Sequence, residues 1–386
     1  MRWYSAIKRR FFIEGGHARI ISALKRSVRQ SSPVAAVRVV TCGSQDRSYS
    51  SRDVETVAQP ARVLQEERWK SISTYFLVCL ATVLGCYAVF LSGLLLLRAN
   101  GNLPPPIVTN NLCFDEKIHW MSYELPSSPP DLLVFGSSVA WRHFDGGQAI
   151  ESGLAKNPYN LGFCGMRLSQ TVFVARYFLT KQKFQFPARA VIIVSPQDFE
   201  GCPSSEEQVF SKPDADEAIF SRTHGWELYL KNVDPVPFVR NASAVKGMRS
   251  GANDLNRLMF TRYGDGPIDS AQSRDLTYGP VTNLKQECFV ALKELARHLS
   301  DHEIQTTLVL TPINPQWLSR YDPDRRILSE VRSRLSEALK KSDVRVWDAS
   351  ENKLFSELDF TDAIHLRWSA VRRLMTAMAN FAIKGT

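Results

Sequence analysis

The run ISTYFLVCLATVLGCYAVFLSGLLLL, Ile72 to Leu97, holds 26 residues without a charge and is closed by Arg98. As a helix rising 1.5 Å per residue it would reach about 39 Å, more than the ~30 Å hydrocarbon core of a bilayer. A soluble fold would have to bury such a helix on every side, so the run constrains the chain before any other feature does: it predicts a single membrane span. Trp69, Lys70 and Arg98 flank it as interfacial anchors. It begins too far into the chain for a cleaved signal peptide.

Charge sorts around this span. The net charge is +9, yet residues 1–70 hold 14 Lys/Arg against 6 Asp/Glu, leaving 34 against 33 in the remainder. A basic tail on a neutral body argues against a nucleic-acid-binding domain. It also predicts a cytoplasmic N-terminus, with everything after Arg98 outside, on the periplasmic face of an inner membrane. A competing reading takes residues 1–45, with Glu14 as their single acid, as an organellar transit peptide. The expected organisation is a basic tail over 1–70 with an amphipathic helix near Ala18–Val28, a span over 71–98, a Pro-rich linker over 99–129, and one domain over 130–386.

The domain reads as alternating strands and helices. Strands are expected at Leu132–Phe135, within PYNLGFCG, within ARAVIIVSPQDF, at Thr306–Leu310 and at Val344–Trp347. Helices are expected at Phe144–Leu154, Leu168–Lys181, Asn283–Leu299, Arg326–Lys340 and Ser369–Ala382. This pattern predicts an α/β fold, a three-layer parallel sheet with helices on both faces. Regular alternation lapses over about 203–280, which reads as an inserted lid or substrate-binding region.

The chemistry-bearing residues stand at turns. DLLVFGSSV ends an apolar strand in Gly136, Ser137 and Ser138; either hydroxyl is a candidate nucleophile. NLGFCG places Gly162 and Gly165 after a short strand, where a glycine exposes backbone N–H to an anion. VSPQDF brings Gln197 to the end of a buried strand. DAIH places Asp362 three residues before His365, so that one turn lets the carboxylate orient the imidazole. His143 reads as a surface or substrate-side residue rather than the base. Arg142 and Asp198 are candidate substrate contacts. His298 and His302 share a helix face, but no third ligand has suitable spacing, so neither a metal site nor a cofactor is expected.

These four turns resemble the four sequence blocks of the SGNH (GDSL) hydrolase superfamily, over roughly residues 130–200 and 300–383. The resemblance implies an SGNH/flavodoxin-like sheet, Ser138 as nucleophile, His365 as base, Asp362 as its orienting acid, and an oxyanion hole from Ser138, Gly165 and Gln197. Gln197 stands where the family usually has asparagine. Gly-Ser-Ser, Ser-Pro-Gln and the anchor most resemble the DltD-type transfer proteins, then the anchored acetyl-transfer proteins of exported polysaccharides. The implied activity is a serine esterase or O-acyltransferase acting on an acylated polysaccharide or glycolipid, beside a membrane-bound O-acyltransferase or polysaccharide-synthesis complex. The alternative is a catalytically silent scaffold in such a complex. Cys113, Cys164, Cys202 and Cys288 permit two disulfides, with buried free thiols as the alternative. A Cys164–Cys202 bridge is expected because both residues follow turns at the sheet's carboxyl edge.

Overall fold

The computed structural model describes residues 53–383 apart from 186, 205–206, 252–254 and 352. Residues 1–52 of the expected basic tail, with its Ala18–Val28 helix and the transit-peptide reading, lie outside the described residues, whereas residues 53–70 of it are helical. The chain divides into two units at Val83/Leu84, inside the long helix α1 (Asp53–Ala99). Within α1, Trp69–Ala99 is long and apolar enough to cross a membrane, with a mean hydropathy of 2.2. Tyr75, Phe76, Leu77 and Val78 are all exposed although they point in successive directions around the helix. An apolar surface on every side makes this helix a candidate membrane span.

The stretch expected as a linker over 99–129 folds into the domain instead. Leu103 to Pro106 are buried, and α2 (Leu112–Met121) turns Phe114, Ile118 and Met121 into the main core. Those three residues recur at i, i+4 and i+7, a helical stripe that the preceding prolines conceal. Asn111 caps the helix, its side chain accepting from Cys113 N and Phe114 N.

Five strands, β1 (Leu132–Gly136), β2 (Pro158–Asn160), β3 (Arg189–Val194), β4 (Gln305–Leu310) and β5 (Arg345–Asp348), form one parallel sheet. Their order is β2-β1-β3-β4-β5. Leu132, Leu133, Val134 and Phe135 are wholly buried, so both faces of β1 are covered, as an unbroken apolar strand requires. Two sets of helices accompany the sheet. In one, α3 (Ser138–His143) and α4 (Gly146–Glu151) pack with the C-terminal α12 (Trp368–Ile383). In the other, α5 (Leu168–Leu179) and α11 (Arg326–Leu339) pack on α9 (Gln286–Asp301).

The single helix expected over Phe144–Leu154 is broken. Phe144 is extended, and Asp145 caps a fresh helix by accepting from Gln148 N at 3.0 Å. The sequence Asp-Gly-Gly-Gln carries that start signal, an Asp cap with Gln three residues later. Between β3 and β4 the inserted region contains α6 (Lys212–Phe220), α7 (Leu228–Lys231) and α8 (Pro235–Ser250). It is more than a lid. Tyr263 O accepts from Asn160 N at 2.7 Å, and Gly266 N donates to Trp141 O at 2.8 Å, so its second half threads into the core. The remaining helix, α10 (Pro315–Tyr321), follows β4.

Gly136 of β1 lies level with Ile193 of β3, and Val194 with Leu310 of β4, so the central strands finish at one edge. β1 sits between β2 and β3, and chain crossings leave it in opposite directions. Parallel sheets hold their ligands at such a divergence, beyond the carboxyl ends of the strands, here those of β1 and β3.

Candidate active site

Gly136 makes the turn out of β1. Its φ is 144°, and a Cβ there would lie 2.3 Å from Ile193 O and 2.7 Å from the Ala140 Cβ. Only glycine permits this close approach, which swings the chain from strand into α3 within two residues. Ser137 caps α3, its hydroxyl accepting from Val139 N at a long 3.5 Å and also bonding to Asp198. Ser138 is the first helical residue, so its N–H has no intrahelical acceptor.

Of the two hydroxyls, it is Ser138 Oγ that meets His365, 2.8 Å from Nε2. On the other side of the ring, Nδ1 lies 2.9 Å from Asp362 Oδ2 and 3.1 Å from Oδ1. Because the carboxylate accepts at Nδ1, Nε2 is left to take a proton from the hydroxyl. Asp362 Oδ1 also accepts from Ile364 N at 3.0 Å and His365 N at 2.8 Å, while Thr361 N donates to His365 O. Acid and base therefore move as one closed turn. Burial pushes the Asp362 carboxyl up, but His365 and the two N–H donors together outweigh it and hold it below its ordinary 3.8. It is ionised at neutral pH.

His143, expected as a surface or substrate-side residue, is instead fully buried beneath this turn. Leu366 N donates to its Nε2 at 2.8 Å, which fixes Nδ1 as the protonated nitrogen facing Thr311 Oγ1 at 2.5 Å. Burial, with His365 beside it, drives its pKa well below 6.5, so it stays neutral. Asn314, after β4, donates from Nδ2 to Asp362 O at 3.2 Å. From the inserted region, Arg274 stands 4.0 Å from Asp362 Oδ2, and the Tyr278 ring meets His365 edge-on at 5.6 Å. No local pattern marked these residues; a basic residue and an aromatic at the end of the irregular insertion were the only cue.

The second turn divides its two glycines. Gly162 N donates to Asn160 Oδ1 at 2.8 Å, and a Cβ would meet Trp141 N at 2.6 Å, so Gly162 serves packing. Gly165 is exposed, with φ at 69°. Among the described residues no backbone carbonyl accepts from its N–H. At the third turn, both carboxamide atoms of Gln197 are buried and without a partner. A buried amide left unsatisfied costs about 1–3 kcal/mol, so the site carries an unmet demand for a polar ligand.

Arg142 and Asp198, expected as substrate contacts, are held by the protein. The Arg142 guanidinium donates to Gly266 O at 2.9 Å and Arg257 O at 2.8 Å and covers the Trp141 ring. Burial, with Arg274 nearby, lowers it to about 9, still charged at neutral pH. Asp198 accepts from Ser195 N at 2.7 Å and Ser195 Oγ at 3.1 Å, and burial raises its carboxyl to about 6.

The expected Cys164–Cys202 disulfide is replaced by Cys113–Cys164 and Cys202–Cys288. The folding of α2 and the position of α9 decide this. Each brings its own cysteine to one of the two turns, and the turns do not need each other. Cys113–Cys164 tethers the residue next to Gly165 to the start of α2; Cys202–Cys288 joins the exit of the third turn to the first turns of α9.

No family model matches the chain, and no curated protein matches it. Among solved structures it is similar to a Bacteroides fragilis protein described as a "putative acylhydrolase", with 13% identity and a TM-score of 0.33. That likeness covers 71% of this chain and 98% of the other. At this level it supplies no argument about the present site.

Proposed function

We propose that the protein is a membrane-anchored serine esterase or O-acyltransferase of SGNH type, its α/β sheet covered as three layers and its domain held outside the bilayer by α1. One observation carries the reading: Ser138 Oγ lies 2.8 Å from His365 Nε2 while Asp362 holds the opposite ring nitrogen. In the proposed reaction Ser138 Oγ attacks an ester carbonyl carbon as its proton passes to His365 Nε2. The oxyanion meets the N–H groups of Ser138 and Gly165 and the orphaned amide of Gln197. His365 then protonates the departing alcohol, leaving the acyl group on Ser138. Water, or a sugar hydroxyl, gives its proton to His365 and attacks the acyl carbon, and Ser138 recovers the proton as the new acid or ester leaves. Ionised Asp362 stabilises the imidazolium throughout.

Acylated exported polysaccharide or glycolipid is the proposed substrate class, with a membrane-bound O-acyltransferase or polysaccharide-synthesis complex as partner. The unmet amide of Gln197 favours a working enzyme over a silent scaffold, because a scaffold has no use for a buried donor without an acceptor. A fluorophosphonate probe should label wild type and leave Ser138→Ala unlabelled. Absence of any wild-type adduct, where a reference serine esterase labels, would sink the enzymatic reading.

A further inference from the structure

Beside the end of α1, and sharing no lining residue with the Ser138 site, is a cavity of about 400 Å³. Arg98, His119, Tyr123, His224, Trp226 and Arg249 are among its walls. His119 and His224 flank Tyr123, whose ring lies 5.2 Å and 4.6 Å from theirs. The Nδ1 atoms of both histidines are buried and have no hydrogen-bond partner. Arg249, by contrast, is matched, donating to Glu116 at 2.6 and 2.9 Å and to Leu103 O at 3.0 Å. Arg98 stacks over Trp226 at 5.6 Å, and its exposed guanidinium has no carboxylate partner among the described residues. The cavity's acid is therefore neutralised, while one guanidinium and two imidazoles remain unmatched. Burial first, then Arg249, His224 and Arg98, lower His119 to about 4, so it is a neutral imidazole at neutral pH.

The position of this cavity specifies the source of the anion. Tyr229 of α7 is buried with Leu94 and Leu103, and Phe90, Leu97, Trp226 and Phe238 pack around them. Phe90 and Leu94 precede Arg98 by eight and four residues, or about 12 and 6 Å into the apolar run. The wall formed by α7 and the start of α8 is thus level with the apolar run, not beyond it. Its outer surface carries Leu230, Val233, Val236 and Val239, exposed by 53%, 48%, 77% and 68%. Four aliphatic side chains exposed alongside an apolar helix continue its surface and suit hydrocarbon.

We propose that this cavity binds the phosphate of an anionic membrane lipid. Arg98, His119 and His224 meet the phosphate oxygens, Tyr123 and Trp226 wall the headgroup, and the exposed aliphatic side chains of α7 and the first turns of α8 reach the acyl chains while the exposed Lys231, Asp234 and Arg240 stay at headgroup level. The proposal rests on α1 being a membrane span, and it deepens the functional reading by placing a lipid-recognition site beside the anchor.

Native mass spectrometry of the full-length protein in detergent, offered equal phosphatidylglycerol and phosphatidylcholine together with glycerol 3-phosphate, tests it. Wild type should retain phosphatidylglycerol in preference to both others. His119→Gln/His224→Gln and, separately, Arg98→Glu should each cut that retention at least tenfold. Arg98 is exposed, so its variant keeps the test decisive if the histidine pair does not fold, and fluorophosphonate labelling at Ser138 checks its integrity. Equal retention of the two lipids, or unchanged retention in Arg98→Glu, would overturn the site. Preferential capture of glycerol 3-phosphate alone would overturn the lipid as its source. Alkaline carbonate extraction separates the premise: release of wild type from membranes sinks the span, whereas firm retention without lipid preference sinks only the cavity's role.

Discussion

Gln197 is half-buried at the rim of the sheet with both amide atoms buried and unmatched, and this gives its removal two opposite consequences. If its Nε2 meets the developing oxyanion, Gln197→Ala should lower kcat for a p-nitrophenyl ester by about 10²–10³-fold with KM little changed. The same substitution removes an unsatisfied buried amide, so its urea midpoint should stay level or rise. A joint fall in activity and stability would mean that the side chain merely packs. Asp198 makes a second residue-scale test. Its carboxyl is raised to about 6, so between pH ~4 and 6 the folded state keeps a proton that the unfolded chain has released. Folding stability contributed by this group therefore falls as pH rises through that window. The stability of wild type relative to Asp198→Asn should decline steadily from pH 4 to 6 and level off above. A difference that does not vary with pH in urea titrations would show that Asp198 ionises normally.

At the scale of elements, the Gly165 turn depends on a covalent tie that sequence did not locate. Cys113–Cys164 closes 51 residues and fixes the turn beside Gly165 to the start of α2. Breaking it with Cys113→Ser/Cys164→Ser should cost about 2–4 kcal/mol in denaturant unfolding and reduce esterase activity at conditions where the variant remains folded. Unchanged activity in the folded variant would mean that Gly165 is positioned without it. Asp362, His365 and Ser138 were legible because each is announced by a short local pattern: one turn joins acid and base, and a glycine ends the strand before the serine. The cysteine pairing was not, because it depends on α2, whose helical stripe of Phe114, Ile118 and Met121 follows three prolines that read as linker. His143, Arg274, Tyr278 and Asn314 were equally hidden. Their roles arise only when β1, β4 and the insertion converge, and no spacing within one segment encodes that convergence. The break at Phe144 was readable in principle, since Asp145 and Gln148 spell a helix start.

For the molecule as a whole, strand order does most of the gathering: β1 and β3 lie side by side, so turns some sixty residues apart in sequence leave one edge of the sheet together. The second tie, Cys202–Cys288, spans 86 residues and brackets the whole insertion. A protease that nicks the exposed stretch between them would yield two fragments on a reducing gel and one intact band without reductant. The bracketed stretch is thus a covalently closed module: a cut inside it leaves both ends held, one at the exit of the third turn and one on α9, for as long as the disulfide stands.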